Sequence, residues 1–93
     1  MGGYSLSDFE PRADKEFAVD GGDGVMLRLA AIVRLSHSNR EGGGFRLDLQ
    51  GPADPVLDQG IYTLRDGDDT FEIFLVPVSR NPDGRIGYEA IFN

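Results

Sequence analysis

Hydrophobic and polar positions alternate along much of this chain, with a period of two. Phe45, Leu47 and Leu49 are interleaved with Arg46, Asp48 and Gln50. Successive residues of a strand point to opposite faces, so this run predicts a half-buried strand with its apolar side inward. Val25, Leu27, Leu29, Ala31, Val33 and Leu35 alternate in the same way with Met26, Arg28, Ala30, Ile32 and Arg34. A buried helix is the rival for that stretch, but the two-residue period and the glycine-rich entry from Asp20 to Gly24 favour a strand. Shorter runs predict strands over Lys15–Asp20, with Phe17 and Val19 inward, and over Ile61–Leu64. The last run, Ile86–Asn93, sets Tyr88, Ala90 and Phe92 against Glu89 and Ile91.

The run Phe71–Val78 breaks the half-wet pattern. Phe71, Ile73, Leu75 and Pro77 fall on one side; Phe74, Val76 and Val78 share the other with Glu72. Both sides are apolar from Ile73 onward, which predicts a central strand covered on both faces. It is expected to end near Pro77, which has no N–H for a ladder. The second face needs a cover, from the terminal segment or from another subunit.

Turn chemistry separates the runs. Asp20–Gly24, Arg65–Asp69 and Asn81–Gly84 are rich in residues that suit tight turns, and Gly42–Gly44 reads as a hairpin tip. Gly51–Gly60 predicts an irregular connection with Val56 and Leu57 tucked inward. Ser5–Glu10 is expected to form a single helical turn, since Ser7 and Glu10 have capping-box spacing and Pro11 stops it, with Leu6 and Phe9 plugging an open end of the core. The fold class is therefore all-β: a small six-stranded, mainly antiparallel barrel or sandwich, arranged as a meander, with one short N-terminal helical turn. It forms a single domain over residues 1–93. The expected core contains Leu27, Leu29, Val33, Phe45, Leu47, Ile73, Leu75 and Phe92.

Composition narrows the function classes. Hydrophobic residues make up 40% of the 93, enough for one folded core. The formal net charge is −7. A chain this acidic is not expected to bind the phosphate backbone of nucleic acid or an anionic membrane surface. There is no cysteine, which removes disulfides, thiolate metal sites and a cysteine nucleophile together. No basic segment followed by an apolar one opens the chain, so a cytoplasmic location is the expectation, with membership of an exported or particle assembly left open.

The candidate chemistry is sparse. Asp20 with Asp23, and Asp66 with Asp68 and Asp69, suggest calcium, but neither turn has a twelve-residue loop closed by a bidentate glutamate, and aspartate–glycine clusters are ordinary hairpin material. Ser36-His37-Ser38 holds the only histidine; neighbours on an extended backbone point apart, so the geometry is poor for a nucleophile and its base. The triple glycine is followed by a strand, whereas a phosphate cradle needs a helix N-terminus. No catalytic residue, cofactor or metal site is therefore expected. Met26, Arg28, Ile32, Arg34 and Arg46 form the candidate interface, a mixed apolar and arginine surface of the kind protein interfaces favour. Plain cross-strand charge pairing is the competing account of the same residues.

Phe9, Phe17, Gly51-Pro52, Gln59-Gly60-Ile61-Tyr62, Phe74–Val78 and the terminal Tyr88–Asn93 together resemble an uncharacterised family of small bacterial all-β domains. The resemblance covers nearly the whole chain and supplies no catalytic residues. It implies a setting beside phage-tail-collar-type fibre proteins, hence an accessory or structural role. The expected function is a non-enzymatic protein-binding or assembly module with a protein partner or a second copy of itself. The alternative is a small-ligand- or metal-binding β-barrel, which a pocket holding Tyr62, Tyr88 and Glu89 would favour.

Overall fold

The alternating runs become six strands in a computed structural model that describes residues 4–22, 24–35 and 44–92. They are β1 (Glu16–Val19), β2 (Met26–Leu35), β3 (Gly44–Gly51), β4 (Gly60–Asp66), β5 (Asp69–Arg80) and β6 (Ile86–Phe92). The barrel closes in the order β1-β2-β3-β6-β5-β4, and every neighbouring pair is antiparallel. It is thus two three-stranded meanders joined edge to edge, not one continuous meander. The connection between Gly51 and Gly60, which contains a cis Asp54–Pro55 peptide, crosses from the first meander to the second. Closure gives each strand two neighbours, so no strand is central in the sense that the Phe71–Val78 run suggested.

One face of each strand fills the interior. Leu27, Leu29, Phe45, Leu47, Ile73 and Leu75 are buried as the alternation predicts, together with Phe17, Leu64, Tyr88 and Ala90. Phe92 is half-buried and stacks on Phe45 at a centroid distance of 4.6 Å. Leu47→Ala removes a fully enclosed side chain and is expected to cost about 2–5 kcal/mol. Chemical denaturation checks this; a variant as stable as the parent would mean that β3 faces the other way.

Val33 departs from the expected core. The register of β2 on β3 passes from Leu29–Leu49 directly to Ala31–Asp48, so a β-bulge at Ala30 puts two residues against one. A one-residue shift exchanges the faces of everything beyond it. Val33 now lies opposite the outward Arg46, whereas Ile32 lies opposite Leu47 and packs on the core.

β5 also runs past its predicted end. Pro77 is tolerated because a second bulge, between Pro77 and Ser79, interrupts the pairing with β6 at that point. The outer face of β5 is not covered by the described residues: Phe74 is 50% and Val78 49% exposed. In the crossing connection Leu57 packs against the core, but Val56 is exposed.

The N-terminal segment closes one end of the barrel. Its helical turn, α1 (Leu6–Phe9), falls within the expected Ser5–Glu10 stretch, but the cap is Ser5 instead of Ser7, the Ser5 backbone N–H donating to Asp8 Oδ2 at 2.7 Å. Pro11 does not stop the coil but opens a 3₁₀ turn, Glu10–Arg12, where its missing N–H does no harm. Phe9 is completely buried, its ring 5.1 Å from Phe71, 5.7 Å from Phe92 and 6.0 Å from Phe45. Leu6 packs at the same end. Arg12 fastens the segment: Nε donates to Asp66 Oδ2 at 2.8 Å, a terminal nitrogen reaches Asp69, and the guanidinium lies 5.0 Å from the Phe71 ring centroid. The glycine of the β4–β5 turn, Gly67, has φ +62°, as a two-residue hairpin with glycine first requires.

Candidate docking surface

The five interface candidates do not form one row. Met26 is 40% exposed and lies at a shallow basin of about 440 Å³, beside Arg28, Gln50 and Arg85. Arg28 donates to Asp14 Oδ1 and Gln50 Oε1, both at 2.9 Å. Beyond the bulge, Ile32 turns inward against the core, and Arg34 projects at the barrel rim, 3.9 Å from a Glu10 oxygen. An Ile32→Glu change therefore tests packing, not an outer surface. Arg46 stays on the outer wall as expected, as do Met26 and Arg28 before the bulge. Arg46 donates to both oxygens of Asp48, at 2.8 and 3.1 Å, and lies 3.9 Å from Glu89. The hydrogen-bonded Asp48 carboxylate, with the charge of Glu89 adding to it, holds the Arg46 pKa above its ordinary value.

A different cluster stands out on the same wall. Ile61 is 73% exposed and sits directly across the ladder from Phe74. Ile91, 57% exposed, occupies the outer face of the neighbouring strand β6, opposite Arg46 of β3. Scattered exposed apolar residues are normal, but a cross-strand pair of large ones, with a third on the next strand of the wall, is the kind of surface that marks interaction sites. The sequence signalled Phe74 through the two-sided apolar run. Ile61 and Ile91 give no such signal, because the same-face residues two positions away are polar, Gln59 and Thr63 for one and Glu89 and Asn93 for the other; only the register of β4 on β5 joins Ile61 to Phe74.

Next to the patch, the two bulges frame a shallow cavity of about 220 Å³ lined by Asp48, Gln50, Ser79, Asn81 and Glu89. Of the expected pocket residues, Tyr88 and Glu89 both line this cavity, but Tyr62 does not. Tyr88 is buried and its hydroxyl accepts the Leu57 N–H at 2.9 Å, while the Tyr62 hydroxyl donates to the Asp58 carbonyl at 2.6 Å. Glu89, the next residue along β6, faces outward to Arg46.

The acidic turns are tied to arginines. Asp66 and Asp69 both face Arg12, and Asp20 accepts two bonds from Arg65, at 2.7 and 3.1 Å. Among the described residues no group of three potential ligands is placed to hold a metal ion. Asp23, Ser36-His37-Ser38, Gly42 and Gly43 lie outside the described residues. No described helix is long and apolar enough to cross a membrane.

The hydrogen bonds and charge of Arg65 lower the Asp20 pKa. A depressed carboxylate contributes stability that is complete above the ordinary carboxylate range and is lost as pH falls through the lowered value. Asp20→Asn is therefore expected to remove a small part of the acid-side slope of stability against pH, small because the pair is exposed. Urea titrations at neutral and acid pH check this; an unchanged slope contradicts it.

No curated protein and no solved structure matches the chain at a significant level. A family match nevertheless extends over residues 4–92, from the Tyr4 strap to the Phe92 end of β6. By that match the chain belongs to the family described as a domain of unknown function (DUF6916).

Proposed function

We propose that this domain is a non-enzymatic protein-binding or assembly module that docks through the outer face of β4, β5 and β6. The observation that carries the reading is the exposed cross-strand pair Ile61–Phe74 with Ile91 on the adjoining strand. Keeping these side chains in water is unfavourable by about 25 cal/mol per Å² of apolar surface, which a partner would recover on covering them. The rim suits an interface too, since Arg46, held by Asp48 and Glu89, borders Ile91. The barrel interior is packed with side chains from Phe9 to Tyr88, which favours action through the outer wall over an enclosed ligand.

The resemblance of the chain to small bacterial domains met beside tail-collar-type fibre proteins gives the finer reading: an accessory of a phage-tail-fibre-like structure. Two experiments test the proposal. Capture with the tagged domain from its source cells is expected to recover a fibre-type protein, and light scattering over a concentration series reads self-association. A parent that stays monomeric and recovers no specific protein overturns the assembly reading.

A further inference from the structure

The seam between β5 and β6 is only half closed. Ladder pairs join Val76–Arg80 of β5 to Ile86–Glu89 of β6. Among the described residues no ladder pair joins Phe71–Leu75 to Ala90–Phe92; there β5 pairs only with β4, and β6 only with β3. Two side chains of the N-terminal strap occupy the divergence. The Phe9 ring packs against both Phe71 and Phe92. The Tyr4 hydroxyl oxygen accepts the backbone N–H of Glu72 at 3.0 Å. In a continued antiparallel ladder such a donor meets a carbonyl of the next strand; at Glu72 a side chain stands in for that strand. Phe74 and Ile91, both at least half exposed, sit on the outer face on either side of the opening.

We propose that this seam is a strand-addition site, where an extended segment of a protein partner pairs with the Phe71–Leu75 edge of β5 and takes over the role of Tyr4 at Glu72. The inference rests on the docking function proposed above and specifies its mode of recognition. An unpaired edge recognises backbone, and the apolar side chains beside it recognise alternate apolar residues of the incoming segment. Charge selects the occupant. The chain carries −7, Glu72 is exposed on this edge, and Asp48 and Glu89 share one arginine nearby. A segment alternating apolar and basic residues is attracted, and a second copy of this chain is repelled.

The test uses a short peptide of alternating valine and lysine, its glutamate-for-lysine analogue, and the lysine peptide N-methylated at alternate amides in both phases. N-methylation deletes edge donors and leaves every side chain in place. The plain lysine peptide is expected to bind and to slow hydrogen exchange at the Phe74 amide. At least one N-methylated phase is expected to bind about tenfold or more weakly, from hydrogen bonds each worth on the order of 1 kcal/mol. Tyr4→Phe, which keeps the ring and deletes the competing acceptor, is expected to tighten the plain peptide severalfold. Equal binding of all lysine peptides overturns the seam while leaving side-chain docking intact. Absence of binding to both parent and Tyr4→Phe also overturns it, as does preference for the glutamate analogue or dimerisation of the parent through this edge.

Discussion

Phe9→Ala is expected to destabilise the domain by about 3–5 kcal/mol, the range for a large aromatic removed from a packed core. Phe9 comes from a helical turn of four residues, yet it is completely buried and packs on rings from β3, β5 and β6. Removing it leaves a cavity bounded by strands that pair with other neighbours and cannot collapse into the space. The Arg12 clamp to Asp66 and Asp69 would then hold a strap with nothing beneath it. Small domains have about 5–15 kcal/mol in all, so a large share of the stability hangs on this residue. Urea denaturation reads the effect. A variant within about 1 kcal/mol of the parent would mean that the strap decorates the barrel instead of closing it.

Ile61→Glu combined with Phe74→Glu is expected to weaken partner binding by about 2–4 kcal/mol, or roughly thirtyfold and upward in Kd, as for loss of a central apolar anchor pair. The two residues face each other across the β4–β5 ladder, so the substitutions place two carboxylates where the partner's apolar surface would sit. Thermal and urea stability are expected to stay within about 1 kcal/mol, because both side chains are already half or more exposed. Titration calorimetry or biolayer interferometry with the captured partner, beside melting curves of both proteins, separates lost binding from lost folding. Full-affinity binding by a folded double variant would move the docking surface elsewhere.

Much of the fold is legible in the sequence because alternation is a local signal. The run Phe45–Gln50 fixes the facing of β3, and the Asp–Gly turns mark three of the strand ends. What escapes is whatever depends on register. The bulge at Ala30 has no sequence mark, since Ala30 and Ala31 fit either face equally well; it exchanges Ile32 and Val33 and splits the expected interface row in two. The capping frame is ambiguous for a similar reason, because Ser5 with Asp8 and Ser7 with Glu10 offer the same spacing. The order of strands is non-local: nothing between Gly51 and Gly60 says that the chain crosses to build a second meander. The candidate surface was half visible. Phe74 announced itself by lying on the second apolar side of one strand, whereas Ile61 and Ile91 gain meaning only when three strands are side by side.

The most direct measurement is hydrogen exchange of the domain, free and bound to its captured partner, resolved along the chain. New protection is expected over residues 60–62, 72–75 and 90–92, with β2 from Met26 to Arg34 unchanged. Protection confined to β2, or no change anywhere in a complex that demonstrably forms, contradicts docking through β4, β5 and β6.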